Sequence, residues 1–310
     1  MQRLPTKDGV GPSVVALPPG PWARIADFLT WQFPAVGEAT WLQRMQAHEV
    51  IDEHGALVTP QRPYQANIRV YYYRAIDAEP RIPFDETVLF QDEHLVVADK
   101  PHFLPVTPGG RFLQETLLVR LKRRLGIDTL APVHRLDRET AGVVLFSVQP
   151  ATRGAYQALF SQRAAAKQYE AVVPWRAGLE LPLTYRSRLV ADDHFLRMQE
   201  VAGEPNSETH IELLEQQGAW ARLKLWPVTG RKHQLRVHCA ALGLPILDDQ
   251  MYPTLGAAGS DDFTRPLQLL AKTLAFSDPV TGQGRSFTSP RSLSLPGLRG
   301  GLKNDKTEVT

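Results

Sequence analysis

Asp137 is the residue whose setting most needs a chemical reason. It lies in APVHRLDRETAGVVLFS (131–147), between Arg135 and Arg138 and just ahead of an apolar run with the composition of a buried strand. A carboxylate with guanidinium groups close by has its ionised form favoured, typically by about one to three pKa units. Such a group is a poor general acid but can serve as a nucleophile or base. The same pattern also fits an architectural Arg–Asp pair at a strand entrance. A loop feeding a rigid apolar strand is a common way to hold one side chain in place.

A second cluster is WARLKLWPVTGRKHQLRVH (220–238). No acidic residue occurs between Glu215 and Asp248, whereas Arg222, Lys224, Arg231, Lys232 and Arg236 all fall inside that gap. Positive charge gathered on one strand and one helix start suits phosphate contact, and Gly230 suits a helix N-terminus whose free amides attract anions. The alternative is a solvated helix face. Tyr169, in KQYEAVV beside Lys167, could stack on a base or donate a hydrogen bond, or be a half-buried core aromatic. Sharper chemistries are missing. There is no CxxC or HExxH, and His233 and His238 stand five apart, off a shared helical face, so no metal site is expected. There is no GxxxxGK[ST], GxGxxG or GxSxG, so neither a nucleotide cofactor nor a serine-hydrolase elbow is expected.

The elements that must carry these residues follow from periodicity. The 310 residues, 43% hydrophobic and 22% charged, fit an ordinary globular chain, and a net charge of +2 requires any basic footprint to be local. One cysteine, Cys239, excludes an internal disulfide and points to a reducing compartment. No signal core or 18-residue apolar run occurs, so a cytoplasmic protein away from membranes is expected. Residues 1–21 read as an extended lead-in, 22–77 as a small domain, 78–86 as a linker, 87–296 as the main domain and 297–310 as a disordered tail. In the small domain, WARIADFLTWQF and ATWLQRMQAHEV read as helices, VIDEHGALV as a hairpin and IRVYYYR as a strand. In the main domain, VLFQDEHLVVADKP reads as two strands and LQETLLVRLKRRLG as an amphipathic helix stopped by Gly126. VVLFSV is a buried strand, and Pro150 can open the helix PATRGAYQALFSQRA. KQYEAVV places Lys167, Tyr169 and Ala171 on one side, and AWARLKLWPV gives Trp220, Arg222, Lys224 and Trp226 one face. RKHQLRVHCAAL puts Leu235, His238, Cys239 and Leu242 on one stripe, ended by Gly243 and Pro245, and a last hairpin turns at Asp278-Pro279.

Taken together, five ordered segments from about 86 to 290 resemble the RluA family of RNA pseudouridine synthases. HRLDRETAGVVLFS resembles HRLDxxTSG plus an apolar strand, with Ala141 where Ser is usual. KPHFLPVTPGG resembles KPxGLxVxPxG, with Phe103 for the first Gly, and KQYEAVV resembles K-x-Y-x-A. TGRKHQLRVHCAALGLPILDDQMYP resembles TGRxHQIRxHxxxxGxPIxGDxxYG, with Asp249 and Pro253 read as replacing glycines. LQLLAKTLAFSDPVTG resembles LxLHAxxLxFxHPxTG, with Leu270 and Ser277 read at the histidine places.

The resemblance implies an α+β fold: a mixed, mostly antiparallel sheet flanked by helices, with a small N-terminal α/β appendage. It implies that Asp137 breaks the N-glycosidic bond of a uridine in ribosomal or transfer RNA, without metal or cofactor, as nucleophile or base. Arg236 would pair with Asp137, Tyr169 would pack on the uracil and handle protons, and Arg135 would fill the gap left by the flipped base. Arg231 and Lys232 would lie near phosphates, and Arg138, Lys167 and His233 would complete the RNA-binding set. A monomer with RNA as partner is expected. The segment 22–77 is faintly similar to a small RNA-binding domain of ribosomal-protein type, and is either a degenerate RNA-binding module or a packing appendage. The rival for the whole chain is a catalytically inactive RNA-binding or ribosome-assembly factor on the same fold; a hydrolase using Asp137 as base is a third reading.

Overall fold

The computed structural model describes residue 6 and residues 9–74, 79–256 and 262–296. The expected tail 297–310 and residue 78 of the expected linker lie outside the described residues, whereas Ile82 and Glu86 of that linker are buried. Packing groups residues up to 80 with 108–128 as one unit, and 81–107 with residues from 129 onward as a second.

The first unit holds β1 (Ser13–Ala16), α1 (Ile25–Gln32), α2 (Glu38–Gln46), β2 (Val50–Asp52), β3 (Arg69–Tyr72) and α3 (Leu117–Leu125). Its antiparallel sheet runs β1-β3-β2, so part of the expected lead-in is an edge strand. Both expected helices form because each has an apolar face to bury: Ile25, Phe28 and Leu29 of α1 meet Trp41 and Met45 of α2 over Val50 and Val70. The expected turn at Gly55 is locked by the Asp52 carboxylate, which accepts the His54 and Ala56 amides at 2.9 Å each. Thr116 caps α3, and Gly126, left-handed at φ 68, ends it as expected.

The second unit is built on one eleven-stranded sheet. Its strands are β4 (Thr87–Gln91), β5 (Leu95–Lys100), β6 (Ala131–Pro132), β7 (Ala141–Ser147), β8 (Ala166–Pro174), β9 (Leu183–Ala191), β10 (Met198–Val201), β11 (Ser207–Gln217), β12 (Trp220–Pro227), β13 (Leu269–Ser277) and β14 (Gly284–Thr288). Helices α4 (Arg153–Ser161) and α5 (Gln234–Ala241) lie on it. The order is β10-β9-β11-β12-β8-β13-β7-β5-β4, with β14 beside β13 and β6 beside β7. Every ladder is antiparallel except β13 with β7, so the expected mixed, mostly antiparallel α+β architecture is present.

That parallel junction explains a glycine in the Asp137 segment. Gly142 has φ 117, and a Cβ there would stand 2.2 Å from the Ala271 carbonyl oxygen. Only a residue without a side chain lets β7 and β13 approach this closely. Gly142→Ala is therefore expected to lower stability by about 3 kcal/mol or more, read by urea denaturation.

Three local expectations are corrected. First, α4 begins at Arg153, not Pro150, because the Ser147 and Thr152 hydroxyls both donate to the Gln149 carbonyl and close a turn ahead of it. Second, the alternative of a solvated helix face does not hold for α5: Gln234 through Cys239 are all buried. Third, Arg222 and Lys224 share a face of β12 as expected, but it is not the face of Lys167 and Tyr169. Arg222 is ion-paired with Glu215 at 3.2 Å and Glu170 at 3.6 Å. The acid-free gap in the sequence is filled across the sheet, because β11 sets Glu215 opposite Arg222 and β8 sets Glu170 opposite Lys224.

His238 anchors α5 through Thr209 at 3.0 Å, Ser207 at 2.9 Å and Ser187 at 3.2 Å. Burial pushes its imidazole from an ordinary 6.5 down to about 4. Above pH 6.5 it is neutral folded and unfolded, and its contribution is intact. As pH falls from 6.5 toward 4 the unfolded chain takes the proton first, so stability is lost by about 2 kcal/mol at pH 5. Denaturation at pH 7 and pH 5 should show this loss, and His238→Asn should reduce the difference.

Candidate active site

A cleft of about 720 Å³ opens in the second unit, lined by the loop before β7, the end of α4, β8, the β12–α5 turn and the start of β13. Asp137 lies in it with its side chain 27% exposed. Its Oδ2 is 3.5 Å from Arg236 Nη1 and 3.7 Å from His233 Nε2.

The loop carrying Asp137 is clamped from beneath. Lys100, fully buried at the end of β5, donates to the carbonyls of Pro101, Leu104 and Arg138 at 2.8–3.0 Å. His102 Nδ1 donates to the Glu139 carbonyl at 2.7 Å, and the Thr140 amide closes back on the Asp137 carbonyl. Burial lowers Lys100 to about 7, against the opposing charges of Glu139 and Asp137, and lowers His102 to about 4. The KPH segment thus fixes the backbone directly after Asp137, at Arg138 and Glu139.

Arg236 comes from α5 with its side chain 1% exposed. Its Nε and Nη2 grip Asp249 at 2.8 and 2.6 Å, a two-pronged pairing that leaves Nη1 aimed at Asp137 and, at 3.9 Å, Glu139. Burial works against its charge, but the Asp249 hydrogen bonds and the negative groups around it hold the guanidinium above its ordinary value. Arg236 is a fixed cation. His233 precedes α5 in a left-handed conformation, φ 54. The Met198 amide donates to Tyr252 Oη at 2.8 Å, and the same hydroxyl hydrogen-bonds His233 Nδ1 at 2.9 Å, which orients the ring with Nε2 towards Asp137. Burial lowers His233 more than Asp137 raises it, which favours the neutral ring. Tyr169 enters from β8 beside a bulge in β13. Burial first, and the Asp137 charge second, push its phenol up, so it stays protonated.

Of the residues expected to contact RNA, Arg135, Lys167, Arg231, Lys232 and His233 line the cleft together with Asp137, Tyr169 and Arg236. Arg138 does not: its Nε pairs with Glu139 at 2.9 Å. The basic groups at ion-pair distance from Asp137 are Arg236 and His233, not the arginines that flank it in sequence. Arg163, at φ 58, is a cleft-lining cation with no sequence signal. Asp249 and Tyr252 were visible only as letters in a motif. Among the described residues no cluster of three His, Cys, Asp or Glu could hold a metal, and no helix is long and apolar enough to cross a membrane.

The departures from the family pattern also change meaning. The residue with glycine-like backbone is Asp248, φ 62, rather than Asp249, which holds Arg236. The residue directly before Pro279 is Asp278, not Ser277; its carboxylate takes the Tyr156 hydroxyl at 3.0 Å. Phe103 accepts φ 66 at a glycine place, held by ring contacts to Phe84 and Phe263. Ala141 and Leu270 are direct register partners in one apolar cluster, so the missing Ser and His are a single joint replacement of polar by apolar side chains.

Comparison with known proteins identifies the family. Residues 94–241 match the model of an RNA pseudouridylate synthase family. The dual-specificity RNA pseudouridine synthase RluA of Pasteurella multocida is 33% identical over 215 residues, covering 68% of this chain and 95% of that protein. An uncharacterized RNA pseudouridine synthase of Synechocystis sp. is 28% identical over 274 residues, covering 85% and 92%. The structure of human RNA pseudouridylate synthase domain containing 1 shares the fold with a TM-score of 0.56 at 23% identity, over 69% of this chain and 86% of that one. The chain belongs to the RluA family of RNA pseudouridine synthases, isomerases that modify RNA.

Proposed function

We propose that the chain converts particular uridines of structured ribosomal or transfer RNA to pseudouridine, with Asp137 as nucleophile or base. The observation that carries this is Asp137 Oδ2, open to the cleft and 3.5 Å from an otherwise buried arginine. A stacked uridine cannot reach that oxygen, so the nucleotide flips out at a cost of a few kcal/mol, which the cationic rim offsets. The N1–C1′ bond breaks, the uracil turns and C5 bonds C1′, while C5 loses a proton and N1 gains one. Asp137 attacks the sugar or the ring, or takes a ribose proton. Arg236 balances its charge, Arg236 and the His233 ring flank it and fix its direction, and neutral Tyr169 packs on the base and passes protons. Arg135 fills the vacated stack, and Lys167, Arg231 and Lys232 take phosphates. Arg138 reaches RNA only by exchanging Glu139 for a phosphate.

With this reading go a cytoplasmic monomer needing no metal or cofactor, and a segment 22–77 that is either a degenerate RNA-binding module or a packing appendage. The test is purified protein incubated with total RNA from cells lacking this gene. New pseudouridine supports the reading. No new pseudouridine with RNA still bound favours the inactive binding factor, and free uracil or cleaved RNA favours a hydrolase.

A further inference from the structure

The turn between β9 and β10 carries an aromatic ring in the open. Phe195 is 79% exposed, more than any other large hydrophobic side chain among the described residues. Its backbone is well fixed. The Arg197 amide donates to the His194 carbonyl at 2.8 Å, the Asp192 amide to the Arg197 carbonyl at 3.3 Å, and the Asp192 carboxylate accepts the His194 amide at 3.1 Å. The His194 ring lies nearly parallel to Phe195, centroids 5.3 Å apart and planes at 27°. One face of the phenyl ring is thereby covered, and most of its surface is left to solvent.

Three contacts tie this turn to the cleft. Lys232, a cleft-lining residue, donates from Nζ to the Phe195 carbonyl at 3.4 Å. Arg197 donates to the Pro253 carbonyl at 3.1 Å and sets its guanidinium 5.0 Å over the Tyr252 ring. The Met198 amide bonds the Tyr252 hydroxyl, which bonds His233 beside Asp137. The backbone that carries the ring therefore lies beside Lys232, where Arg231 and Lys232 are exposed. A preordered aromatic face next to exposed cations fits an unpaired base with its phosphate, since bases splayed from a strand stack on aromatic side chains while cations track the backbone.

We propose that His194 and Phe195 form a stacking platform for an unpaired base of the substrate RNA neighbouring the flipped uridine, so that the β9–β10 turn helps select the site. This rests on the reading that the cleft isomerises uridine in RNA. Phe195 touches no core cluster, so its replacement leaves the fold intact.

The test compares wild type with Phe195→Ala, Phe195→Leu and Phe195→Trp on tritiated-uridine RNA made in cells lacking this gene, reading kcat/KM by tritium release and thermal midpoint in parallel. Phe195→Ala should lower kcat/KM about 10-fold, chiefly through KM, with the midpoint unchanged. Phe195→Leu should behave like Ala, and Phe195→Trp should match wild type and show tryptophan quenching on adding RNA. Equal kcat/KM for wild type and Ala overturns the platform alone, as does a leucine variant as good as wild type. A change in sedimentation without a change in kcat/KM also overturns it, by assigning the ring to a contact between copies. Wild type that releases no tritium overturns the underlying reading, and the platform with it.

Discussion

Asp137→Asn is expected to lower pseudouridine formation by about 10⁴-fold while RNA affinity stays equal or rises slightly. The size follows from removing the one group that attacks or takes the proton; losses of about 10⁴ to 10⁶ are usual when a nucleophile is removed from a preformed site. The affinity follows from charge. Asp137 is the negative group in a cleft lined by Arg135, Arg163, Lys167, Arg231 and Lys232, and a polyanion gains when that charge goes. The fold should not suffer. The Asp137 carboxyl is part-exposed and joined to Arg236 and His233 only by ion-pair distances of 3.5 and 3.7 Å, and the loop is held by its backbone carbonyls. Single-turnover rates on RNA from cells lacking this gene, with filter binding of the same RNA, separate the two quantities.

Arg236→Ala should have the next largest effect, and on stability as well as rate. It strands Asp249, whose side chain is fully buried, and leaves Asp137 without its cation. Removing one partner of a buried pair costs about 3–5 kcal/mol, because the remaining charge is neither hydrated nor balanced. Arg236→Lys retains a charge but cannot grip both Asp249 oxygens while facing Asp137. It should keep the protein folded with about 100-fold slower turnover. Urea denaturation and saturating single-turnover kinetics on both variants measure this. A lysine variant with wild-type turnover would show that charge alone suffices and that the two-pronged grip is dispensable.

How much was legible in the sequence depended on whether a feature is local. The apolar run after Asp137 announced β7, Gly126 announced the end of α3, and alternation put Lys167 and Tyr169 on one side of β8. Charge balance was not local. The acid-free stretch around Arg222 looked like a phosphate contact, yet β8 and β11 bring Glu170 and Glu215 against it from 52 and 7 residues away in sequence. The same lesson holds at the site, where Asp137 is paired by Arg236 of α5 rather than by Arg135 or Arg138. The joint replacement at Ala141 and Leu270 could be seen only once the parallel junction set them in register. Phe195 left no pattern at all, since an exposed ring in a two-stranded turn breaks no periodicity.

The central claim is that the Asp137 carboxylate carries out uridine isomerisation in RNA. Its most direct test is nucleotide-resolution mapping of pseudouridine in cells lacking this gene, complemented either with wild type or with Asp137→Asn at equal protein level. Specific uridines should be modified with wild type and unmodified with the variant. Modification restored equally by both, or no site that depends on the gene, would contradict the account.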